Sequence, residues 1–293
     1  MALRQLPDWA ILGAPKAGTT SLASWLDSHP QGHVPPAKEV AYFNRFFHRG
    51  PDWYASQFAA AGAQQRCGDA TPAYLYSDEA LDRLASAAPD VRLIVILREP
   101  ADRAWSHFWY NRALGLEPRS FDRAIRAERR DPANAPYGLE LGYLACSRYA
   151  DRLAAVTARF GRAALLVVFF DDLRDDPTGV FCQVCAHLGL APAVLPLDGR
   201  ARNIGRQPRS ATAQHLLLRC RAGSWPAQLG PRLTRLNARP GGYPAMTPDV
   251  RADLRREFRR ENERLSTWLD HPLPPGWTDA GPVPAQGSVV TAG

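Results

Sequence analysis

Residues 11–26 read ILGAPKAGTTSLASWL and nearly spell the phosphate-binding loop GxxxxGK[ST]. Gly13 and Gly18 have the right spacing, but Thr19 stands where that loop carries its lysine, and the lysine has moved back to Lys16. A glycine-bearing turn between a strand and a helix offers several backbone N–H groups and the positive end of a helix dipole, which together bind a phosphate or a sulfate. Thr19, Thr20 and Ser21 add hydroxyls. The alternative is a well-capped helix start without a ligand, but a lysine inside the turn would then lack a partner. A second group follows the run RLIVIL: Arg98 stands at its end and Ser106 one to two turns into the next helix. Ligands of parallel sheets collect at the carboxyl ends of strands, so Arg98 is placed to meet an anion, unless it pairs locally with Glu99 or Asp102. In PPAKEVAYFNRFF, Glu39 adjoins Lys38, with which it could form a surface ion pair.

These groups need a frame to bring them together. WAIL, RLIVIL and ALLVVFF have the length and β-branched content of buried strands, and helix-like stretches lie between and after them. The alternation predicts an α/β fold, a P-loop-like parallel sheet with helices on both faces. The first helix should begin near Thr19 or Thr20 and stop at SHP, since Pro30 cannot continue it. Another begins after Pro100 and carries Ala101 to Ala113. Residues 147–160 and 178–189 read as amphipathic helices, and TPDVRADLRREFRRENERLSTWL as a long charged one. The span 191–245 reads as irregular loops. Residues 1–270 form a single domain on this reading, and the Pro- and Gly-rich residues 271–293 a disordered tail.

The chain has 293 residues with 45% hydrophobic content, enough for a sizeable core. Its five cysteines lack a framework spacing; Cys182 and Cys185 form a lone CxxC and read as reduced core thiols of a cytoplasmic protein rather than a metal site. No apolar run is long enough to span a bilayer. A formal charge of +7 and a pI near 9.4 favour anionic ligands without choosing among nucleic acid, anionic lipid and a small polyanion. Of the 36 basic residues only Lys16 and Lys38 are lysine, and both fall beside the motifs above. Lysine offers a compact, rotatable point charge where arginine offers a larger rigid fork.

Over residues 9–269 the sequence resembles sulfotransferases that use 3'-phosphoadenosine 5'-phosphosulfate, in particular the branch of the heparan sulfate sulfotransferases and their many bacterial relatives. The family's loop pattern P/R-K-x-G-T-T/R is matched by Pro15, Lys16, Gly18, Thr19 and Thr20. The resemblance implies that Lys16, Ala17, Gly18, Thr19, Thr20 and Ser21 hold the 5'-phosphosulfate, with Lys16 beside the oxygen that bridges phosphorus and sulfur. It implies that Arg98 and Ser106 grip the 3'-phosphate and that Glu39, in a K/N-E-x-x-F/Y-F segment, takes the acceptor's proton. Arg239, in LNARPGGYPAM, falls where the family closes a basic loop over the nucleotide. Tyr149, Asp172 and Leu173 correspond to packing and turn residues. No metal is implied. Ala41 and Asn44 stand where the heparan-modifying branch has a histidine and an aspartate, and Ala70 replaces a lysine of some glycan-sulfating members, which points away from a highly anionic glycan.

The implied reaction is transfer of a sulfuryl group to a hydroxyl or amine of a saccharide or natural product. The aromatic residues between Tyr42 and Trp53 hint at an apolar or ring-bearing acceptor near Glu39. One rival is an ATP-dependent small-molecule kinase, which would need a lysine at position 19 and an acidic metal ligand such as Asp171 or Asp172. Another is a non-catalytic nucleic-acid-binding protein, whose charge would interleave with exposed aromatics; here most aromatics sit in apolar helix or strand patterns. No nucleic-acid partner and no stable membrane insertion are expected, and the sequence carries no sign of oligomeric state.

Overall fold

The computed structural model describes residues 7–131, 142–193, 207–210, 212–214, 237–239 and 242–278. Five strands, β1 (Trp9–Gly13), β2 (Gly32–His33), β3 (Arg66–Asp69), β4 (Arg92–Leu97) and β5 (Leu165–Phe169), form one parallel sheet in the order β2-β3-β1-β4-β5. The expected fold class holds. Every residue of β1 and all of β4 after Arg92 are buried, as continuous apolar strands covered on both faces must be. β2 and β3 have no counterpart among the expected strands. β3 reads RCGD, and its place is fixed by its neighbour: Gly68 lies opposite Trp9, whose indole occupies the space a side chain would need.

The helices follow their local signals. α1 (Thr19–Asp27) starts where expected, after Gly18 in a left-handed conformation. α2 (Gly50–Ser56) is short, and α3 (Asp78–Ala87) is capped by the Ser77 hydroxyl, which accepts from the backbone N–H of Ala80. α4 (Pro100–Leu114) has Pro100 in its first turn, the Glu99 carboxylate accepting from the Asp102 N–H, and left-handed Gly115 at its end. α5 (Phe121–Arg130) follows. The helix expected over 147–160 begins later, as α6 (Ala150–Phe160), because a 3-10 turn takes up Ala145–Ser147. There the Ser147 hydroxyl donates to the carbonyls of Pro100 and Tyr143 and accepts from Arg103 Nε. α7 (Phe170–Asp175), α8 (Pro177–Leu188) and α9 (Pro248–Leu269) follow in chain order.

Within the span read as loops, two short strands, β6 (Gln207–Pro208) and β7 (Ala238–Arg239), pair antiparallel. The boundary expected at residue 270 falls short of the packed chain. Trp277 is buried against Phe169 and Tyr149, its indole N–H donates to Asp171 at 3.0 Å, and its carbonyl accepts from Asn262. Residues 279–293 lie outside the described part. Of the CxxC pair, Cys185 is buried and Cys182 exposed, so only the former is a core thiol. Among the described residues no helix is long and apolar enough to cross a membrane.

A Cβ added at Gly68 would fall 2.1–2.2 Å from three atoms of the Trp9 ring, inside a sheet that cannot shift locally. Gly68→Ala should therefore lower unfolding stability by about 2 kcal/mol or more in chemical denaturation; an unchanged midpoint would show that Trp9 does not pack on β3.

Candidate active site

The order β2-β3-β1-β4-β5 reverses direction at β1, because the chain adds β2 and β3 on one side of it before crossing to β4 and β5 on the other. A crevice must therefore open beyond the carboxyl ends of β1 and β4. A cavity of about 390 Å³ is lined by Lys16, Gly18, Thr19, Thr20, Ser21, Glu39, Arg98 and Ser106, together with Pro15, Pro72, Tyr110, Asn111, Leu114, Leu116, Phe170 and Tyr243. Three separate stretches of sequence thus deliver the anticipated side chains to one space. Ala17 is the exception in the loop, since its methyl is wholly buried in the core. Of Arg239 the structure describes the backbone alone, in β7.

The turn between β1 and α1 is built to expose N–H groups and one ammonium. Gly18 caps α1 at φ +94°, and a Cβ there would meet Leu173 Cδ2 at 2.8 Å and the Phe170 ring at 3.1 Å. The first N–H groups of the helix have no partner within it. Lys16 also adopts a left-handed backbone, at φ +71°. Its Nζ sits 3.9 Å from the centre of the Tyr110 ring. Burial, then the positive charges of Arg98 and Lys38, pull its pKa down to about 8, against the opposing pull of Glu39. Arg98 reaches across the crevice: its Nη1 donates to the Lys16 carbonyl at 3.1 Å and its guanidinium lies over the Phe170 ring. The alternative local pairing does not take hold, because the ion pairs of Glu99 and Asp102 are made with Arg251 and Arg255 of α9. Tyr149 and Leu173 are buried as packing residues, the Tyr149 hydroxyl donating to the Arg98 carbonyl.

Lys38 proves to be more than a neighbour of Glu39. Its Nζ donates to Thr20 Oγ1 at 3.0 Å and to Glu39 Oε1 at 2.9 Å, tying the carboxylate to the first loop. Its backbone is left-handed, at φ +54°. This segment is pinned from beneath by Asp69, the last residue of β3. The fully buried Asp69 carboxylate accepts from the hydroxyls of Thr71 at 2.6 Å, Tyr74 at 2.8 Å and Tyr54 at 3.1 Å, and from the Val40 N–H. Thr71 and Tyr74 in turn accept from the N–H groups of Ala41 and Phe43.

Tyr110 and Leu114 were missed in the sequence, although they lie four and eight residues after Ser106 and so on one helical stripe. Tyr243 arrives from just before α9, held where Trp105 Nε1 donates to the Pro244 carbonyl. The aromatic run between Tyr42 and Trp53 does not add a ring to the lining. Tyr42 stacks on Tyr54, Arg49 covers Phe46 and Trp53, and Arg83 covers Phe47.

The family model described as "Sulfotransferase domain" matches residues 6–208. The human bifunctional heparan sulfate N-deacetylase/N-sulfotransferase 3 is 33% identical over 201 residues, a match that takes in 64% of this chain and 23% of that protein. The chain thus spans less than a quarter of that relative's length. A sulfotransferase from Alicyclobacillus acidocaldarius superimposes with a TM-score of 0.71 at 24% identity, covering 93% of this chain and 99% of the other. Mouse sulfotransferase SULT7A1, solved in complex with PAP, superimposes at 0.51 with 18% identity over 90% of this chain and 86% of the other. Both structures share the fold.

Burial raises the Asp69 pKa from its ordinary 3.8 to about 6, although three hydroxyls and an N–H oppose the shift. The folded state then holds the proton more tightly than the unfolded one, so Asp69 contributes a stability that is fully present below the unfolded value and is lost as pH rises through the folded one. The advantage of wild type over Asp69→Asn should shrink by on the order of 3 kcal/mol between about pH 4 and pH 7. Denaturation of both proteins across that range measures it, and a constant difference would refute the buried titration.

Proposed function

The chain belongs to the sulfotransferase-domain family, and from that premise we propose that it moves a sulfuryl group from 3'-phosphoadenosine 5'-phosphosulfate to a hydroxyl or amine of a saccharide or natural-product acceptor. The observation that carries this reading is one crevice lined by Lys16, Arg98 and, as its single carboxylate among the described residues, Glu39, with Lys38 hydrogen-bonded to Glu39 and Thr20. Lys16 is a half-buried cation whose pKa is lowered by desolvation and then by its positive neighbours, and an anion in the crevice would relieve both costs. The donor supplies two such groups, a 5'-phosphosulfate and a 3'-phosphate.

In this reading the loop N–H groups and the Thr19, Thr20 and Ser21 hydroxyls cradle the 5' end, and Arg98 with Ser106 holds the 3'-phosphate. Lys16 turns from the Tyr110 ring to the bridging oxygen, where charge builds as the sulfuryl group leaves. Glu39 takes the acceptor's proton, oriented by Lys38, so transfer runs in line without a covalent enzyme intermediate. Arg239 remains a candidate to close over the nucleotide from β7. The reaction belongs in the cytoplasm, a setting supported by the reduced, buried thiol of Cys185. No step calls for a metal or a nucleic-acid partner.

Adenosine 3',5'-bisphosphate should raise the melting temperature in excess chelator, since a ligand at a hundred times its Kd adds about 2.7 kcal/mol, while ATP should do little with or without magnesium. Its affinity should fall as pH climbs through about 8, where the Lys16 ammonium loses its proton, and Lys16→Gln should flatten that slope. A shift with magnesium and ATP and none with the bisphosphate would instead identify a kinase.

Roles at the reacting end separate in kinetics. Lys16→Ala should cut turnover on the order of a hundredfold or more, as loss of one donor to a developing charge does. Glu39→Gln should bind the bisphosphate normally yet transfer slowly, and Arg98→Ala should lose bisphosphate affinity; the reverse pattern would exchange the two sites.

A further inference from the structure

Among the described residues four large hydrophobic side chains are exposed: Phe47 at 41%, Tyr110 at 39%, Leu114 at 42% and Leu116 at 36%. Phe47 is covered by the guanidinium of Arg83. The other three line the cavity that holds Lys16 and Glu39. Singly exposed apolar residues need no explanation, but three gathered at the mouth of a charged crevice do. Ser106, Tyr110 and Leu114 are spaced four residues apart on α4, and Leu116 follows directly after its left-handed end at Gly115. The stripe therefore runs outward from polar to apolar, from Ser106 at the anion end, through Tyr110 with Lys16 on its ring, to the two leucines. The Glu39 carboxylate lies close enough to Tyr110 to join burial in raising its phenol pKa. The base and the apolar stripe thus face the same space.

Charge narrows what can lie there. Among the described residues the cations lining the cavity are Lys16 and Arg98, and both are engaged by the donor if the sulfotransferase reading holds, on which this inference rests. The carboxylate of Glu39 is paired with the Lys38 ammonium at 2.9 Å, so among the described residues no unengaged cation is left there for an anionic acceptor. A polyanionic glycan would find no cation there to pair with and would leave the apolar stripe uncovered, whereas a neutral ring would bury the stripe and present a hydroxyl to Glu39. We infer that the acceptor is an uncharged, apolar alcohol or phenol whose body packs on Tyr110, Leu114 and Leu116.

The test is equilibrium binding to the full chain, with and without saturating adenosine 3',5'-bisphosphate. The fluorescence of 2-naphthol, neutral at pH 7, reports one arm, and an unsulfated heparosan octasaccharide serves as the other. The naphthol should bind and the octasaccharide should not. Leu114→Gln with Leu116→Gln, two exposed positions that leave the core untouched, should weaken the naphthol by about tenfold or more with bisphosphate affinity and melting temperature unchanged. Leu114→Met with Leu116→Met should retain binding. Failure of the naphthol to bind wild type, equal binding to the Gln variant, or binding of the octasaccharide in its place would each overturn the inference. Loss of bisphosphate binding alone would instead strike the donor assignment, because the naphthol arm is also read without nucleotide.

Discussion

Between Gly13 and Thr19 the chain must leave the centre of a buried sheet and enter a helix within five residues, and the rest of the site depends on how that reversal is made. Two left-handed residues, Lys16 and Gly18, accomplish it. At Gly18 the missing side chain lets the turn press against Leu173 and Phe170, so the start of α1 sits low in the crevice. At Lys16 a residue with a full side chain accepts a conformation that costs of order a kcal/mol or more. Its carbonyl is then free to meet Arg98, which spans the gap between β1 and β4. One backbone reversal thereby sets the depth of the cradle, the position of the ammonium and the anchor of the second cation.

A site rich in positive charge must be held by something other than its own charges. Here the support lies beneath it and is acidic. Asp69 gathers three hydroxyls and a backbone N–H, and through Thr71 and Tyr74 it fixes the backbone that carries Lys38 and Glu39. Glu99 caps α4 and is paired from α9 by Arg251 and Arg255, while burial holds its pKa up at about 7. Because Glu99 and Asp102 turn to α9, Arg98 one residue earlier stays with the crevice. Buried acids thus order the frame without neutralising the cations that an incoming anion would meet.

How far the sequence could be read follows from where each element gets its stability. β1, β4 and β5 are apolar along most of their length because helices cover both sides, so they stand out as runs. β3 is written RCGD, and neither Gly68 nor Asp69 announces a strand: one is required by the Trp9 ring, the other by partners five and fifteen residues away in sequence. The loop cations and hydroxyls were legible because their chemistry is local. Tyr110 and Leu114 were not, since an exposed aromatic or aliphatic on a helix looks like any other until the crevice it faces is known. Trp277 was hidden in a Pro- and Gly-rich tail, and only its burial beside β5 shows that it belongs to the core.

The composition takes on a physical reason in this light. Thirty-four of 36 basic positions hold arginine, and the two lysines are the two basic residues with left-handed backbones among those described. Both direct an ammonium into a space bounded by backbone or hydroxyl groups: Lys38 between Thr20 and Glu39, Lys16 over Tyr110 beside the turn. A guanidinium at either place would demand a planar fork of partners and more room than the turn leaves, whereas an ammonium can pivot between a ring and an oxygen without losing its hydrogen-bonding geometry. Arg98, by contrast, spans a longer gap, donates to a carbonyl and lies flat on Phe170, uses that a fork serves well. Compact point charge at the turn and a planar fork across the crevice is thus how the two residue types divide this site.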